Sequence, residues 1–479
     1  MITNRPLRRL AALLALCAGF AGVAGSAQGA ATIVIINSNA AGIGFNDPTP
    51  ATPVGGNTGT TLGAQRLIAF QHAAGVWGAT VTSSVPIRIA ASFEPLPCSV
   101  SSAVLGAAGT TEIFTDFPKA PRTAVWYPGA LASKIAGTDV ASPGQPHIRA
   151  RFNSRLGLSP DCFPGAPFYL GLDNNHGDQI DLVAVLLHEI AHGLGFQSFT
   201  DEETGEQFDD LPSVWDFFLI NNRNEKLWAS MNNEERRLSA ISGDGLSWNG
   251  PRVTAATARA LAPRSNLAIA GPASGAAGGN YEVGDATFGP PLSGEEVAGE
   301  LMPVVDQPGG TGLACTPLDA QNALAVKGNI ALVDRGSCAF VIKANIVQNA
   351  GAIGMVVVEN VPGPVTDLGG TDPNITIPSV RITQAAGQAL KKVLARRSRT
   401  ASGVVATLGV DPQRLAGADA MQRIRMHAPT EFAPGSSVSH FTVDAKPSQL
   451  MEPSINDDLT HAVKPPRDLA FPLLQDIGW

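Results

Sequence analysis

Apolar residues in one segment of the chain recur at the spacing of an α-helix. Asp181 stands directly before this segment and is suited to cap a helix N-terminus. Gly193 and Gly195 fall near its end and are expected to terminate the helix. The apolar positions follow the i, i+3, i+4, i+7 pattern and are Val183, Leu186, Leu187, Ile190 and Leu194. The pattern therefore predicts a helix between Asp181 and the two glycines.

Shorter patterns on both sides of this segment predict a mixed scaffold of strands and helices. A helix is expected from about Leu62 to Trp77, because apolar residues fall at helical spacing along it. Residues 214–220 are mostly apolar and are expected to pack on the core. Strands are predicted at residues 32–36, 85–90 and 148–153. A strand that precedes such a helix can also pair with an extended peptide.

The sequence changes character at about Pro263, where small and turn-forming residues become frequent. A chain of 479 residues is too long for one ordinary core, so two folded units are expected. The second unit is predicted to contain a buried strand within 326–336, a helix at 339–349, strands at 354–358 and 377–382, and a helix at 384–395.

The N-terminus is typical of a secretory signal peptide. Three arginines within residues 5–9 precede an apolar run from Leu10 to about Val23, and small residues follow. The run is short for a membrane anchor, and no later stretch is long and apolar enough to span a bilayer. We therefore expect residues 1–29 to be removed by cleavage between about residues 26 and 30, and the mature chain to be secreted or periplasmic.

Loss of Cys17 with the signal peptide leaves four cysteines. An even number of cysteines in an exported chain suggests two disulfides. The order of the cysteines along the sequence favours pairing Cys98 with Cys162 and Cys315 with Cys338 over the two other connectivities. If both pairs form, no thiol remains to block a metal site.

The chain is acidic, with a formal charge of −8 that becomes about −11 when Arg5, Arg8 and Arg9 are lost with the signal peptide. Basic runs interleaved with aromatic residues, which are typical of nucleic-acid surfaces, do not occur in the sequence. The charge pattern therefore argues against a nucleic-acid partner and favours solubility.

Candidate chemistry lies within the predicted helix, in the string HEIAH. His188 and His192 lie one helical turn apart on one face, so both can bind one metal ion. Glu189 is offset so that it can reach a water at that ion as a general base. The string predicts a zinc peptidase site with one catalytic Zn²⁺. Ser198 stands where the longer pattern HExxHxxGxxH has its third histidine, so the third ligand is missing locally.

The second predicted unit resembles the protease-associated (PA) domain over roughly residues 265 to 410. The matching elements are GNIALVDRGSCAF at 328–340, Lys343, and the stretches at 350–352 and 377–380. The resemblance implies a non-catalytic module that influences substrate access or partner binding, with a purely structural insert as the alternative. If this unit is an insert, the missing ligand is expected beyond residue 410.

Four residues remain candidates for the missing ligand. His440 lies in a turn rich in Gly and Ser and is followed by Met451, whereas His427 and His461 have neither feature. Asp216 has a spacing from the helix loosely like that of zinc peptidases with a downstream acidic ligand, but a glycine break intervenes.

The metal-binding segments resemble the leishmanolysin branch of the metzincins. In that branch HExxHxxGF is followed by a long insertion, a Gly-Ser-His-aromatic segment and a Met-turn, and the corresponding residues here are 188–196, 435–441 and Met451. The large insert, the few cysteines and the lack of a recognisable long propeptide depart from the pattern, so activation and calcium sites do not carry over. The resemblance implies zinc ligands His188, His192 and His440, general base Glu189, and Met-turn residue Met451.

Together the two resemblances imply an α+β fold, in which a metzincin-like zinc peptidase domain (mixed sheet plus active-site helix) is interrupted by a PA-type α/β insert. The expected division is a signal peptide at 1–29, catalytic parts at 30–262 and 411–479, and the insert at 263–410. The expected function is a secreted zinc-dependent endopeptidase acting on protein or peptide substrates. The alternatives are a zinc aminopeptidase and a catalytically silent, metal-stabilised extracellular binding protein; the intact Glu189 argues against the second.

Overall fold

The computed structural model describes residues 29–243, 245–305 and 312–479. Residues 1–28, which make up nearly all of the predicted signal peptide, lie outside the described residues. Within the described part of the chain, no helix is long and apolar enough to cross a membrane. The fold mixes helices and strands, so the predicted α+β class is confirmed at this level.

The N-terminal part of the fold, up to residue 262, consists of short strands and five helices among the described residues. Its strands are β1 Ile33–Asn37, β2 Ile87–Glu94, β3 Gly106–Thr110, β4 Ile113–Phe114, β5 Tyr127–Pro128, β6 Ile148–Asn153, β7 Phe168–Tyr169, β8 Ile180–Asp181, β9 Leu219–Asn221, β10 Lys226–Leu227 and β11 Leu246–Trp248. Its helices are α1 Leu62–Thr80, α2 Gly129–Ala136, α3 Leu182–Leu194, α4 Asn233–Ala240 and α5 Pro251–Ala260.

A four-stranded sheet with the order β1-β2-β6-β3 frames this part. β1, β2 and β6 are parallel, whereas β3 runs antiparallel to β6 and forms one edge of the sheet. The strands predicted at 32–36, 85–90 and 148–153 correspond to β1, β2 and β6. β3 was not predicted.

Helices α1 and α3 lie against one another. Trp77 of α1 is fully buried, and its indole Nε1 donates to the backbone oxygen of Leu187 in α3 at 2.9 Å. Phe70 of α1 meets Phe152 of β6 edge-on, with ring centroids 5.7 Å apart. The apolar face predicted for α1 therefore joins the sheet to α3 and fixes where α3 lies.

The remaining residues form a second sheet and the C-terminal segment. The strands are β12 Pro263–Ala270, β13 Gly279–Glu282, β14 Gly284–Asp285, β15 Val297–Pro303, β16 Ile330–Asp334, β17 Gly354–Val358, β18 Ser379–Ile382 and β19 Val405–Leu415. The helices are α6 Ala320–Val326, α7 Phe340–Asn349, α8 Gln384–Leu394 and, near the C-terminus, α9 Ala470–Ile477. The sheet has the order β13-β12-β19-β15-β16-β17-β18-β14.

Buried apolar residues form one core that combines residues 31–261 with residues 415–479. Two further cores lie wholly between residues 267 and 408. β12 and β19 pair antiparallel along their length, and Pro263 lies opposite Leu415. The chain therefore leaves the first core and returns to it at neighbouring points.

Both predicted disulfides are present. Cys98 pairs with Cys162, and Cys315 pairs with Cys338. The first links the segment before β3 to the loop after β6, and the second links the segment before α6 to the loop that precedes α7. All four cysteines that lie in the described residues are therefore oxidised.

A buried lysine stabilises the same loop as the second disulfide. Lys343 of α7 is fully buried, and its Nζ donates to the backbone oxygens of Leu313 and Gly336. Burial lowers the pKa of Lys343. A buried ammonium group without acceptors is strongly disfavoured. The hydrogen bonds to these two carbonyl groups therefore offset the cost of burying Lys343.

Replacing Lys343 by Met should destabilise this unit. Lys343→Met keeps much of the side-chain volume but removes the donor to the Leu313 oxygen and one of the two donors to the Gly336 oxygen, which also accepts the Cys338 N–H, and this costs about 2 kcal/mol. We expect a lower midpoint of thermal unfolding in differential scanning calorimetry. Lys327→Met, at an exposed position, is the matched control and should leave the midpoint unchanged. Equal midpoints for the two variants would contradict a stabilising role for Lys343.

Candidate functional site

Helix α3 carries the predicted metal-binding string and is fixed at both ends. Asp181 caps it as predicted, because its Oδ1 accepts two free backbone N–H groups at 2.8 and 3.2 Å. The expectation that Gly193 ends the helix is wrong, since the helix continues through it to Leu194. Gly195 follows with φ 123°, a conformation that glycine adopts without strain. The indole Nε1 of Trp479 donates to the Leu194 oxygen at 2.7 Å.

His188, His192 and His440 come together in the structure, although 248 positions separate the second from the third. Nε2 of His192 lies 3.1 Å from Nε2 of His188 and 3.2 Å from Nε2 of His440. The remaining pair, His188 and His440, is also 3.2 Å apart. The three Nε2 atoms therefore form a nearly equilateral triangle.

The second nitrogen of each ring, Nδ1, bonds to a backbone oxygen. A carbonyl oxygen can only accept, so each Nδ1 carries a proton and each Nε2 of a neutral ring has a free lone pair. Burial lowers the pKa of His188 to about 4 and that of His192 to about 3, and it also lowers the pKa of His440. The acceptors are Leu450 at 2.7 Å from His188, Phe196 at 2.7 Å from His192, and Ser436 at 2.9 Å from His440.

This arrangement fits a tetrahedral metal ion. Three lone pairs that face one another without a proton repel, and a cation between them turns the repulsion into attraction. Zinc–nitrogen bonds of about 2.0 Å in tetrahedral geometry place ligand nitrogens about 3.3 Å apart, close to the observed 3.1–3.2 Å. Three protein ligands leave a fourth position open, which is typical of catalytic zinc sites.

His440 is positioned by a segment that folds back on itself. The His427 N–H donates to the His440 oxygen at 2.8 Å, and the Val438 N–H donates to the His427 oxygen at 2.7 Å. Ser439 connects this segment to the residues after α3, because its Oγ accepts the Ser198 N–H at 3.2 Å. Ser198, at the place of the missing histidine, thus contacts the residue next to His440.

His188 is oriented by a buried carboxylate that acts through the backbone. Leu450, whose oxygen accepts from His188, donates its own N–H to Oδ2 of Asp468 at 2.7 Å. Asp468 is buried, which raises its pKa to about 6. Met451 follows Leu450 and is fully buried, and its oxygen accepts the Phe441 N–H at 2.8 Å. The assignment of Met451 as a Met-turn residue stays a prediction.

The side chain of Glu189 extends from α3 toward β3 and lies next to the imidazoles. The backbone of Ala108 in β3 hydrogen-bonds to its carboxylate, whereas burial, the larger effect, raises its pKa to about 8. Gly106 makes room for this side chain, because a Cβ there would lie 2.9 Å from Cγ and 3.1 Å from Oε1 of Glu189. A carboxyl group with a raised pKa suits the transfer of a proton near neutral pH.

The other candidate ligands lie apart from the three imidazoles. Asp216 is fully buried and accepts two side-chain hydroxyl groups, both at 2.9 Å. His461 bonds through Nε2 to Oδ2 of Asp181 at 2.8 Å, at the opposite end of α3. His427 contributes its backbone to the segment of His440 and is not part of the imidazole cluster. The structure therefore places His440, and none of the alternatives, beside the two helix histidines.

The imidazoles face a cleft of about 700 Å³. Its lining includes residues 103–108, among them the start of β3, residues 434–437 and 439–440, and residues 452–455. Sequence reasoning missed both β3 and Glu202, which also lines the cleft. The string Gly-Ala-Ala-Gly-Thr of β3 has no alternation of apolar and polar residues that could have indicated a strand.

Residues 297–390 match the family model of the PA domain. The matched range contains β15 to β18 with α6 and α7, and it reaches into α8. The presence of a PA domain is therefore confirmed. The boundaries at 263 and 410, and the resemblance of the remaining segments to leishmanolysin, stay predictions.

Curated relatives match only parts of the chain. Signal peptide peptidase-like 2 of Arabidopsis thaliana is 37% identical over 92 residues, which cover 19% of this chain and 16% of that protein. Vacuolar-sorting receptor 2 of the same organism is 30% identical over 149 residues, which cover 29% of this chain and 24% of that protein. The chain thus spans less than a quarter of the length of these relatives.

Solved structures show partial likeness. An aminopeptidase from Aneurinibacillus sp. strain AM-1 is 24% identical with a TM-score of 0.24, over 32% of this chain and 31% of that chain. A zinc aminopeptidase from Bacillus subtilis is 20% identical with a TM-score of 0.22, over 33% of this chain and 36% of that chain. TM-scores this low assign no fold to the chain as a whole.

The ligand set can be tested by removing single imidazoles. We expect His440→Ala to lose bound zinc, because it removes one of the three clustered Nε2 atoms. His427→Ala removes a nearby imidazole outside the cluster and should retain zinc in equal molar ratio to protein. Metal content after dialysis, measured by mass spectrometry of the purified proteins, checks both. Loss of zinc from His427→Ala and its retention by His440→Ala would reverse the assignment.

Proposed function

We propose that this chain is an exported zinc-dependent endopeptidase that hydrolyses protein or peptide substrates. The observation that carries the proposal is the convergence of three unprotonated imidazole nitrogens beside the buried carboxylate of Glu189, in the lining of a cleft. The PA domain and the local likeness to a signal peptide peptidase-like protein support a peptidase-related function. The two disulfides support an oxidising compartment outside the cytoplasm.

The chemistry follows from the positions of the side chains. Zinc held by His188, His192 and His440 would supply Lewis acidity and lower the pKa of a water at its open position to about 7. The Glu189 carboxylate accepts a proton from the attacking water and passes it to the nitrogen of the departing amine. The bonds from each Nδ1 to a backbone oxygen keep the three rings turned with Nε2 inward.

β3 offers a surface for the substrate backbone. It is an edge strand of its sheet, and its first residues line the cleft directly beside Glu189. An exposed strand edge binds an extended peptide through main-chain hydrogen bonds. Residues 103–105, which line the cleft, precede Gly106 beside Glu189, and Gly109 beside Gln197 follows it, so a peptide along this segment can occupy both sides of the scissile bond. This favours cleavage inside a chain.

Casein hydrolysis by the purified mature chain tests the peptidase proposal. We expect hydrolysis that a chelator abolishes and zinc restores. Glu189→Ala should lower the rate at least about 100-fold, because proton transfer by a positioned carboxylate contributes that much or more. Glu203→Ala, which changes an exposed glutamate, is the control and should retain activity.

Zinc content measured on the same samples separates loss of chemistry from loss of metal. Glu189→Ala should retain zinc, since the three imidazoles are unchanged. A wild-type chain that holds zinc and releases no peptide would refute the proposal in favour of a metal-stabilised binding protein.

Terminally blocked peptides distinguish an endopeptidase from an aminopeptidase. We expect peptides with an acetylated N-terminus and an amidated C-terminus to be cut at internal bonds, because the segment 103–109 extends to both sides of Glu189. Mass spectrometry of the products locates the cuts, and the same peptides with free N-termini are the control. Cleavage only of the free peptides, one residue at a time from the N-terminus, would assign an aminopeptidase instead.

A further inference from the structure

One carboxylate in the cleft has no role in the chemistry described above. Glu202 follows α3 by eight positions and is half-buried in the cleft wall. Its Oε1 accepts a hydrogen bond from the Ser439 hydroxyl at 3.0 Å. The carboxylate also accepts a hydrogen bond from its own backbone N–H. Within the described residues, no bond from another residue to Oε2 is found, so this oxygen has acceptor capacity for a ligand.

The two other carboxylates of the cleft are already engaged. Glu189 lies against β3 beside the imidazoles. Glu452 is only 1% exposed, and its oxygens accept the Gln449 N–H at 2.7 Å and the Asn456 amide at 2.9 Å. Glu452 thus stabilises the turn after Met451, and Glu202 is the acidic side chain left to interact with a ligand in the described part of the cleft.

The charge of Glu202 is not balanced by a basic side chain of the cleft. No Lys or Arg lines the cleft in the part of the chain that the structure describes. Burial, with the neighbouring charges of Asp201 and Asp216, raises the pKa of Glu202 to about 7. The ionised form of Glu202 is therefore disfavoured. A cationic group of a ligand would stabilise it, because an opposite charge nearby favours the ionised carboxylate.

The position of Glu202 indicates which half of a bound peptide would lie near its carboxylate. A Cβ on Gly106 of β3 would lie near Glu189, whereas one on Gly109 would lie 3.4 Å from Oε1 of Gln197, beyond the end of α3. β3 and α3 therefore run in the same direction, and Glu202 lies near the C-terminal end of β3, because Ser439 bonds both to Ser198, next to Gln197, and to Glu202. A peptide pairing antiparallel with β3 has its N-terminal half at that end.

We propose that Glu202 is a specificity-determining residue that pairs with an Arg or Lys side chain of the substrate on the N-terminal side of the scissile bond. The inference rests on the proposed peptidase function and names the substrate class of the same cleft. A free α-amino group has the same charge, so the test separates a terminal amine from a basic side chain.

The test measures binding without turnover, in chains that carry Glu189→Ala. The probes are fluorescent, N-acetylated peptides that contain either arginine or its neutral isostere citrulline, scanned through the positions before the expected cut. We expect one position at which the arginine peptide binds about tenfold more tightly than the citrulline peptide, as a charge-assisted pair implies. Adding Glu202→Gln should abolish the difference, and adding Glu203→Gln, at an exposed position, should preserve it.

Three results would overturn the inference. The first is equal binding of the arginine and citrulline peptides at every position. The second is a loss of affinity in Glu202→Gln that is equal for both peptides or is accompanied by loss of zinc. Either result would assign Glu202 a structural role through Ser439. The third is discrimination that appears only with unacetylated peptides, which would assign the terminal amine as the partner.

Hydrolysis by chains with intact Glu189 separates this inference from the proposed function. Cleavage on the C-terminal side of the selected arginine, with a preference for arginine that Glu202→Gln removes, supports both, whereas cleavage on its N-terminal side would overturn the inference. Arginine-selective binding without any hydrolysis by the zinc-loaded wild-type chain would reject the peptidase while retaining the cation site at Glu202. Hydrolysis without a preference for arginine would reject the inference and retain the peptidase.

Discussion

Three imidazole lone pairs aimed at one point are the constraint on which the rest of the candidate site depends. Nitrogens with no proton between them at 3.1–3.2 Å repel unless a cation lies among them. The protein holds them there because each Nδ1 is fixed to a backbone oxygen, and these oxygens belong to three separate segments, at Phe196, Ser436 and Leu450. Metal affinity in such a site is a property of the tertiary structure, since no isolated segment carries the arrangement.

Strand pairing explains how the chain accommodates the large interruption between its second and third histidines. β12 and β19 pair side by side, so the chain returns to the first core close to where it left. The Ala262 N–H donates to the Lys446 oxygen, and the Ala262 oxygen accepts the Ala416 N–H. These two bonds join the residue just before β12 to the residue just after β19 and to the C-terminal segment. The residues between these strands bury their own apolar side chains in separate cores, so they add little loop-closure entropy to the site.

The parts of the fold that could be predicted from sequence are those whose stability is encoded locally. α3 has an N-cap, an apolar stripe and a glycine C-cap, and both disulfides follow from cysteine order. β3 could not be predicted, because its glycines and alanines carry no pattern. It becomes a strand only by pairing with β6, and Gly106 is required by the close approach of Glu189. The role of Asp468 could not be predicted either, because the backbone N–H that its carboxylate accepts belongs to a residue 18 positions away.

Ser198 shows how a local departure from a motif is compensated in three dimensions. In the longer pattern this position supplies the third ligand, and here its N–H instead binds the hydroxyl of Ser439, the residue before His440. The imidazole that completes the cluster therefore arrives beside the place the motif assigns to it, although it comes from the far end of the chain. Because Ser439 also donates to Glu202, one serine connects the placement of the third imidazole with the acidic wall of the cleft. The segment that carries His440 therefore also positions Glu202, which follows α3 in the sequence, in the lining of the cleft.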